Sequence, residues 1–528
     1  MVGVMKNTSL IVDVFLSALA GVGMWAAFPS LSLWWLIFPS LALYFSRVDH
    51  STLSRGLLNT VVFGFSWWLP LIHWVTLATG GYLPWAALAT TQVIALCLWA
   101  VIARLSQSIP VVNSPLGQPC VYALTWVGVE QLRSHYPWTG FPWGNVAMPQ
   151  VDSPLGHLAP WGGEVVVSFV SVALAVALRR VFYFRSDLGD EHWFTRPALL
   201  VGSLGVFFAA WMIPLPLSQE AGTIRVGVVQ GDVELPGAHT FAIEGKVTTN
   251  NSAMTQELVA QSDPVDLLIW GETGADRDPR ESGLVAQLVD SSATLAHAPL
   301  LFGFANVKDD KRWNWLGVWY ESEGLDEESL YAKQKPVPFG EFIPFRSLIS
   351  KLATQAAQIN MDMAAADNLA LMNVHLHDSR TIPIAVGICF ESAYPAVIGP
   401  GVMAGGQLIV TPSNNYHFQS SSESAQQNQL LRLRAMEYSR SAIQASTTGM
   451  SSVILPDGRM KATTDPHSAA WLADSVPLRT SMTKTAELGE LPAQMVMGAT
   501  GVYGVFALLY ASIQAVVNWN SLRRQNRI

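Results

Sequence analysis

Charged residues are scarce in this chain. Asp, Glu, Lys and Arg make up 13% of its 528 residues, whereas hydrophobic residues make up 50%, and the mean hydropathy is +0.29. This composition excludes an ordinary soluble enzyme and indicates a polytopic membrane protein. The net charge of −8 is accompanied by no basic stripe, which argues against nucleic acid as a partner. Gly-rich phosphate loops and dinucleotide fingerprints are also lacking.

Cysteine is equally rare, with three residues in the whole chain. Cys97 and Cys120 stand in apolar segments, where a small buried hydrophobic role is expected. Cys389 is then left without a disulfide partner in the more polar part of the chain. An unpaired thiol in such a place indicates chemistry.

Long apolar runs are abundant. A membrane-spanning helix needs about 20 mostly apolar residues. We interpret eight segments as spans: 9–26, 30–46, 57–78, 84–103, 118–132, 163–181, 197–215 and 494–518. The segment 118–132 is the weakest, because it is short and carries Glu130, so a re-entrant or tilted path is also open.

Residues 220–490 have the composition of a soluble domain. The sequence therefore predicts a membrane domain over 1–219, an inserted extramembrane domain over 220–490, and a last span with a basic tail over 491–528. The first apolar run lacks a clear small-residue cleavage site, so we expect it to be an uncleaved span.

Basic residues in the short loops predict the orientation of the chain. One side of the predicted membrane domain collects Lys6, Arg47, Arg55, Arg104, Arg179, Arg180, Arg185, Arg196, Arg523, Arg524 and Arg527, and the other side has only Arg133. The first side is then cytoplasmic and carries both termini. Residues 220–490 are accordingly predicted to lie outside the cytoplasm.

Strand and helix patterns alternate within 220–490. Strands are expected at 223–229, 265–270, 300–304, 317–320, 381–390, 407–411, 441–446 and 452–455, and helices at 254–260, 284–296 and 424–439. This alternation is typical of an α/β fold whose sheets are buried on both faces.

Three local motifs carry residues suited to nucleophilic catalysis. Cys389 stands in Gly-Ile-Cys-Phe-Glu after a strand, Glu272 ends Leu-Ile-Trp-Gly-Glu, and Lys333 precedes Pro-Val-Pro-Phe-Gly-Glu. A thiol titrating near 8.5 needs a base, which Glu272 would provide with a pKa raised by burial. Lys333 would stabilise an oxyanion and favour the thiolate.

Neighbouring residues have predicted supporting roles. Glu341 and Glu391 would orient Lys333 and the nucleophile, and the backbone N–H of Phe390 would be a second oxyanion donor.

Each motif alone is weak evidence, and two alternatives use other residues. His375 and His377 form a His-x-His pair on an expected strand, but no acidic or Cys cluster accompanies them in the sequence, so no metal site is predicted. A Cys389–His417 dyad with Asn414 is possible by residue type.

Glu, Lys and Cys in this order resemble the catalytic triad of the nitrilase, or carbon–nitrogen hydrolase, superfamily. With eight spans around an inserted domain, the chain resembles apolipoprotein N-acyltransferases. The stretches that carry this resemblance are Trp126–Arg133, Thr139–Gly144, Val229–Asp232, Trp270–Glu272, Val337–Glu341, Ile388–Glu391 and Arg432–Glu437. The resemblance implies a polytopic helical bundle with an α-β-β-α sandwich domain.

The chain departs from that family at a few positions. Gly271 stands where Pro is common, Phe390 where Tyr is common, and Asn414-Asn415-Tyr416-His417-Phe418 where an Asn-Asp-Ala-Trp-Phe-like stretch is common. The family frequently has a Trp after the Gln-Gly motif, here Gln230-Gly231, and Phe241 is the candidate to take the place of that Trp. We expect Phe241, Tyr416 and Trp143 to contact substrate.

The resemblance implies acyl transfer without cofactor or metal. A phospholipid would acylate Cys389, and the thioester would pass its acyl chain to the N-terminal amine of a diacylated apolipoprotein. A bacterial inner-membrane monomer among membrane lipids is expected. A membrane-anchored amidase for small extracytoplasmic amides and a non-catalytic envelope scaffold remain alternatives.

Overall fold

A computed structural model describes residues 10–49, 51–182, 195–234, 237–344, 346 and 361–525. The described residues before 212 are mainly helical. Its helices are α1 (Leu10–Ala26), α2 (Ile37–Val48), α3 (Leu53–Leu71), α4 (Val75–Thr79), α5 (Tyr82–Ser106), α6 (Gly117–His135), α7 (Ala159–Phe182) and α8 (Thr195–Trp211). Of the basic residues used to predict orientation, Lys6, Arg185 and Arg527 lie outside the described residues.

The helices fit a membrane protein. Three described segments, Tyr82–Ser106, Pro154–Phe182 and Leu491–Gln525, are long and apolar enough to cross a bilayer, and Leu10–Ala26 and Thr195–Trp211 are shorter apolar helices. The doubtful segment 118–132 lies within the continuous helix Gly117–His135, which has 19 residues.

The second half forms an α/β domain with two sheets. Its strands are β1 (Thr223–Gln230), β2 (Leu267–Trp270), β3 (Leu300–Lys308), β4 (Lys311–Tyr320), β5 (Gly324–Leu325), β6 (Tyr331–Ala332), β7 (Leu371–His375), β8 (Thr381–Val386), β9 (Leu408–Ser413), β10 (Ser441–Ser446), β11 (Ser452–Ile454), β12 (Met460–Thr463) and β13 (Ala470–Pro477). One sheet has the order β13-β1-β2-β3-β4-β5 with β6 on β4, and the other has the order β12-β11-β10-β9-β8-β7.

Helices cover the outer face of each sheet. The helices of this half are α9 (Gly237–Ala242), α10 (Lys246–Gln261), α11 (Gly283–Ala296), α12 (Pro395–Met403), α13 (Glu423–Tyr438), α14 (Lys484–Leu488) and α15 (Leu491–Gln525). Helices α10 and α11 pack on the first sheet, and α12 and α13 pack on the second. The predicted α/β domain is therefore confirmed, with its layers in the order α-β-β-α.

Alternating side chains explain why the sheets stack. In β2, Leu267 and Ile269 enter the core between the sheets, whereas Leu268 and Trp270 enter the cluster beneath α10 and α11. Because successive side chains of a strand point to opposite faces, an uninterrupted apolar strand needs cover on both sides. The layered arrangement provides that cover.

The structure corrects the predicted strands at several places. The strand expected over 381–390 ends at Val386, and Cys389–Ala393 is a 3-10 helix instead. Strands β5, β6, β12 and β13 were not predicted, and β7 was expected only as a strand around the His375 and His377 pair. The pairing of β13 with β1 joins residues about 250 positions apart in sequence, which no local pattern reveals.

A buried ion-pair cluster joins the helical half to the α/β domain. Helix α7 is broken at Gly162 and Gly163, where the backbone leaves helical geometry. Just beyond the break, Glu164 pairs at 2.6 Å with Arg434 of α13, and the Glu164 backbone N–H donates to Glu437 at 2.7 Å. These buried contacts between α7 and α13 hold the α/β domain against the helical bundle.

Candidate active site

The three predicted catalytic residues come together where strands end. Glu272 follows β2, Lys333 follows β6, and Cys389 opens the 3-10 helix after β8. The Lys333 ammonium nitrogen lies 3.4 Å from Glu272 Oε1 and 2.7 Å from Glu341 Oε1. Lys333 is 1% exposed, Glu272 6% and Cys389 8%, so all three side chains are buried from bulk solvent.

Cys389 occupies a tight turn. Its φ of 54° lies in the left-handed region that a non-glycine residue rarely adopts. Such conformations persist where the surroundings hold them, and they cluster at active sites.

Glu391 supplies much of that support. It is fully buried, and its carboxylate accepts hydrogen bonds from the backbone N–H groups of Ile388 (2.7 Å), Gln334 (2.6 Å) and Lys335 (2.9 Å). The Tyr331 hydroxyl donates a fourth at 2.8 Å. The Glu391 carboxylate thus connects the turn at Cys389 to the segment that carries Lys333.

Glu272 is held by a residue that the sequence analysis missed. The side-chain amide of Asn314, in β4, donates to Glu272 Oε1 at 2.6 Å, and the Asn314 carbonyl accepts from the Lys333 backbone N–H at 2.9 Å. An Asn within the apolar run Trp313-Asn314-Trp315-Leu316 was the available signal, because a polar residue inside a buried strand needs a partner.

Gly271 allows a close backbone approach beside Glu272. A Cβ atom at Gly271 would lie 2.2 Å from the backbone nitrogen of Thr447. In the present packing Thr447 Oγ1 donates to the Glu272 carbonyl at 2.6 Å. The glycine at this position is therefore required by the contact with Thr447.

Electrostatics define the protonation state of the site. Burial, reinforced by Glu272, raises the pKa of the Cys389 thiol well above its ordinary value, although Lys333 opposes the shift. Lys333 was expected to favour the thiolate, but the effects of burial and of Glu272 are larger, so the protonated thiol is favoured. Burial opposes the charge of Lys333, but Glu272 and Glu341 together raise its pKa, so the ammonium stays charged.

A further buried carboxyl, missed in the sequence, lies close to the site. Glu423 begins α13 and is 3% exposed. Burial raises its pKa to about 8, and the side chain of Asn415 donates to it at 2.7 Å. Glu423 therefore holds its proton to a higher pH than an ordinary glutamate does.

Aromatic rings from both halves of the molecule form one wall of the site. The Phe390 ring, next to the nucleophile, stacks on Trp143 with centroids 5.6 Å apart and on Phe141 at 6.1 Å. Trp74 packs against Trp143 at 5.4 Å and against Phe418 at 5.2 Å. We refer to Phe390, Trp143, Phe141, Trp74 and Phe418 as the aromatic wall.

The two other candidate substrate contacts lie together. The rings of Phe241 and Tyr416 are 5.2 Å apart. Burial raises the pKa of Tyr416 above its ordinary value. Trp143, the third candidate, stacks instead on Phe390.

The structure does not favour the His417 alternative. The His417 ring lies against Tyr416 with centroids 3.6 Å apart, and burial lowers its pKa to about 4. Asn414 donates to Thr273. Among the described residues, no hydrogen bond links His417 to Cys389.

The His-x-His pair is divided by the fold. His375 ends β7, whereas His377 lies beyond it and stacks on His297 at 4.3 Å. Possible ligand atoms of His297, Glu321 and His377 lie within 4.8 Å of one another. Glu321, which follows β4, is thus an acidic neighbour of His377 that the local sequence does not show, and His375 does not belong to this group.

Both halves match known domain families. The apolipoprotein N-acyltransferase N-terminal domain matches residues 20–177, and the carbon-nitrogen hydrolase domain matches residues 225–474. A solved structure of a nitrilase-superfamily member from Saccharomyces cerevisiae aligns with 52% of this chain and 94% of its own, with 14% identity and a TM-score of 0.36.

Whole-chain relatives match across both halves. The apolipoprotein N-acyltransferase of Mycolicibacterium smegmatis is 28% identical over 519 residues, which is 93% of this chain and 84% of the relative. That of Azotobacter vinelandii is 29% identical over 472 residues, covering 84% of this chain and 85% of the relative. With both domain families matched in order and relatives matched over most of their length, the chain belongs to the apolipoprotein N-acyltransferase family, a membrane-bound branch of the nitrilase superfamily.

Proposed function

We propose that this acyltransferase moves an acyl chain from a membrane phospholipid to the N-terminal α-amine of S-diacylglyceryl-cysteine on apolipoproteins. The transfer proceeds in two steps through a thioester on Cys389. The observation that carries the proposal is the buried group in which Lys333 lies within 3.4 Å of Glu272 and 2.7 Å of Glu341, beside the strained Cys389 turn. The names of the relatives give the acceptor class.

In the first step, the Cys389 sulfur attacks the ester carbonyl of the phospholipid. Because burial keeps the thiol protonated, its proton passes to Glu272 as the S–C bond forms. The developing oxyanion is stabilised by Lys333 and by the backbone N–H of Phe390, which lies in the first turn of the 3-10 helix and so lacks an intrahelical acceptor. Glu272 then returns the proton to the departing lysophospholipid oxygen, and the ester C–O bond breaks.

In the second step, the acceptor amine attacks the thioester carbonyl. Glu272 removes a proton from the attacking nitrogen and delivers it to the departing Cys389 sulfur. An amide forms, and the thiol is regenerated. Water must be kept from the thioester between the steps, and the burial of Cys389 and Lys333 supports this exclusion.

Placement at the bilayer surface suits two lipid-anchored substrates. We propose that 1–219 forms seven spans, that 220–490 is the extracytoplasmic catalytic domain, and that 491–528 adds the eighth span and a cytoplasmic tail. The excess of basic residues on one side supports this orientation. The stacking of Trp143, from the helical half, on Phe390 of the α/β domain supports a site at the junction of the two domains.

One chain supplies every group that the mechanism uses, so we propose a monomer as the active unit. Phospholipid and diacylated apolipoprotein are its substrates, and the surrounding bilayer lipids are its other partners. The steps above use only side chains and backbone groups of the protein.

Transfer between two defined substrates tests the proposal. Purified protein is given a phospholipid with an isotopically labelled acyl chain and a synthetic diacylated lipopeptide with a free N-terminus. We expect labelled amide on the lipopeptide and an equal amount of lysophospholipid. With an N-acetylated lipopeptide we expect no labelled amide, and lysophospholipid limited to about one equivalent per enzyme, because only the acylation of Cys389 can proceed. Ammonia release from small amides without acyl transfer would instead support the amidase alternative.

A further inference from the structure

A glutamine outside the triad connects the aromatic wall to the helical bundle. Gln426, in the first turn of α13, has no exposed surface. Its Oε1 accepts hydrogen bonds from the indole N–H groups of Trp74 at 3.2 Å and Trp143 at 2.7 Å. Its Nε2 donates to the carbonyl oxygens of Pro29 and Leu71, both at 3.1 Å.

The surroundings determine the orientation of this amide. An indole N–H can only donate and a backbone carbonyl can only accept, so a flipped amide would oppose like groups at four contacts. Nε2 is also 3.0 Å from the Ser422 hydroxyl, which shares one of its hydrogens. Neither a carboxylate nor an apolar side chain can reproduce this pattern of two accepted and two donated bonds.

The two bound indoles differ from other buried indoles nearby. The Nε1 atoms of Trp67, Trp68 and Trp99 are buried and have no hydrogen-bond partner within the described chain. Those of Trp74 and Trp143 share one acceptor, and these are the two tryptophans of the aromatic wall. A hydrogen bond fixes a ring in a way that packing alone does not, since it selects one orientation of the indole.

From these contacts we infer that Gln426 is a positioning residue for the acyl donor. It holds Trp143 against Phe390, the neighbour of the nucleophile, and thereby keeps in place the apolar surface along which a long acyl chain lies. The inference rests on the proposed acyl transfer. Gln426 reaches the chemistry only through Trp143, so its loss weakens donor binding and leaves the reactivity of Cys389 unchanged.

The inference predicts a divided kinetic effect. Without the amide, the KM for a phospholipid with long acyl chains rises by about tenfold, because two hydrogen bonds to the wall are lost. Acylation of Cys389 by a water-soluble acetyl ester, which has no chain to place, stays within about twofold of wild type.

Three substitutions test this in the full-length protein. Gln426→Leu removes all the bonds. Gln426→Glu places a second oxygen against the carbonyl oxygens of Pro29 and Leu71, which displaces the side chain from the indoles. Gln429→Leu is the matched control. Gln429 lies on the same helix and is 3% exposed, and its Oε1 has no partner among the described residues. We expect both Gln426 variants to raise the KM and the control to leave it unchanged.

A double-mutant cycle separates positioning from general damage to packing. Trp143→Phe removes the indole donor, and we expect it to raise the KM by about fivefold in wild type but by less than about twofold in the Gln426→Leu background. Equal effects of Trp143→Phe in both backgrounds would overturn the inference. So would a Gln426→Leu variant that loses acetyl-ester labelling and long-chain transfer in parallel.

The failure of the underlying function is distinguishable. If wild type accepts the acetyl ester but never an acyl chain from phospholipid, the proposed function fails, and the inference fails with it. If wild type transfers long chains and the Gln426 variants match Gln429→Leu, only the inference fails.

Discussion

The Lys333 ammonium donates a 2.7 Å hydrogen bond to Glu341, eight residues further along the chain. The other Glu341 oxygen accepts from the backbone N–H of Val337 at 2.8 Å. The carboxylate therefore closes the loop after Lys333 and balances its charge at the same time. Glu341 acts through Lys333 and, within the described part of the chain, makes no hydrogen bond to the Cys389 thiol, so its role is separable from that of Glu272.

Replacing Glu341 with Gln is expected to slow acyl transfer without unfolding the domain. The amide keeps the shape and can bond Val337, but it loses the charge-assisted bond to Lys333. Such bonds contribute about 1.5–3 kcal/mol, so the acylation rate should fall roughly 10- to 100-fold. Single-turnover acylation measures the rate, and an unchanged melting temperature excludes unfolding. A rate within about twofold of wild type would show that Glu341 is not needed to position Lys333.

Asn314→Leu should lower the rate by a different route. The variant removes the 2.6 Å bond to Glu272, so the carboxylate is less well aimed at the thiol proton, and we expect roughly a tenfold loss in acylation rate. Asn373→Leu is the control, because Asn373 is exposed on β7 in the opposite sheet. Equal acylation rates for the two variants would show that the Asn314 hydrogen bond is not needed to orient Glu272.

Gly271→Ala is expected to destabilise the domain beside the site. The added methyl would lie 2.2 Å from the Thr447 backbone nitrogen, and a backbone atom cannot yield as a side chain can. Overpacking of this kind costs about 1–3 kcal/mol or more. Gly283→Ala is the matched control, since no atom lies within 4 Å of its Cβ position. Melting curves that coincide for the two variants would contradict the packing described here.

Glu423→Gln should change how stability depends on pH. Because the pKa of Glu423 is raised from 4.5 to about 8, the folded protein keeps a proton that the unfolded chain releases between these values. Wild-type stability attributable to this group is complete below pH 4.5, falls as pH rises, and is lost above about pH 8. Gln cannot ionise, so the Glu423→Gln variant does not lose this stability as the pH rises.

The measurement for Glu423 is a difference between two proteins. The melting temperature of Glu423→Gln minus that of wild type should be small near pH 5 and clearly positive near pH 9. Other titrating groups cancel in this difference. A difference that is constant across the range would show that Glu423 is ionised in the folded protein.

The grouping of Glu272, Lys333 and Cys389 could be predicted from the sequence because each residue stands in its own local pattern at the end of a strand. Glu391 and Glu341 were accessible for the same reason, since each lies within a few residues of the group it supports. Asn314 and Gln426 were not, because their partners come from distant elements: Gln426 binds Pro29, which precedes it by 397 positions. Such contacts depend on how the sheets and the bundle pack.

The turn at Cys389 also escaped prediction. The apolar run through Ile388 and Phe390 has the pattern of a strand that continues. The left-handed conformation of Cys389 depends instead on the buried Glu391 carboxylate, which accepts hydrogen bonds from the backbone N–H groups of Ile388 and Gln334. Tertiary hydrogen bonds here override the local preference for a strand.

The most direct test of the account is the intact mass of the protein after incubation with a phospholipid of one defined acyl chain. We expect wild type to gain the mass of one acyl group, to lose it with neutral hydroxylamine, and to lose it on addition of a diacylated lipopeptide. Cys389→Ser should gain no hydroxylamine-sensitive mass. A folded, lipid-bound wild-type protein that gains no acyl group, or that gains it equally after the substitution, would contradict a thioester on Cys389.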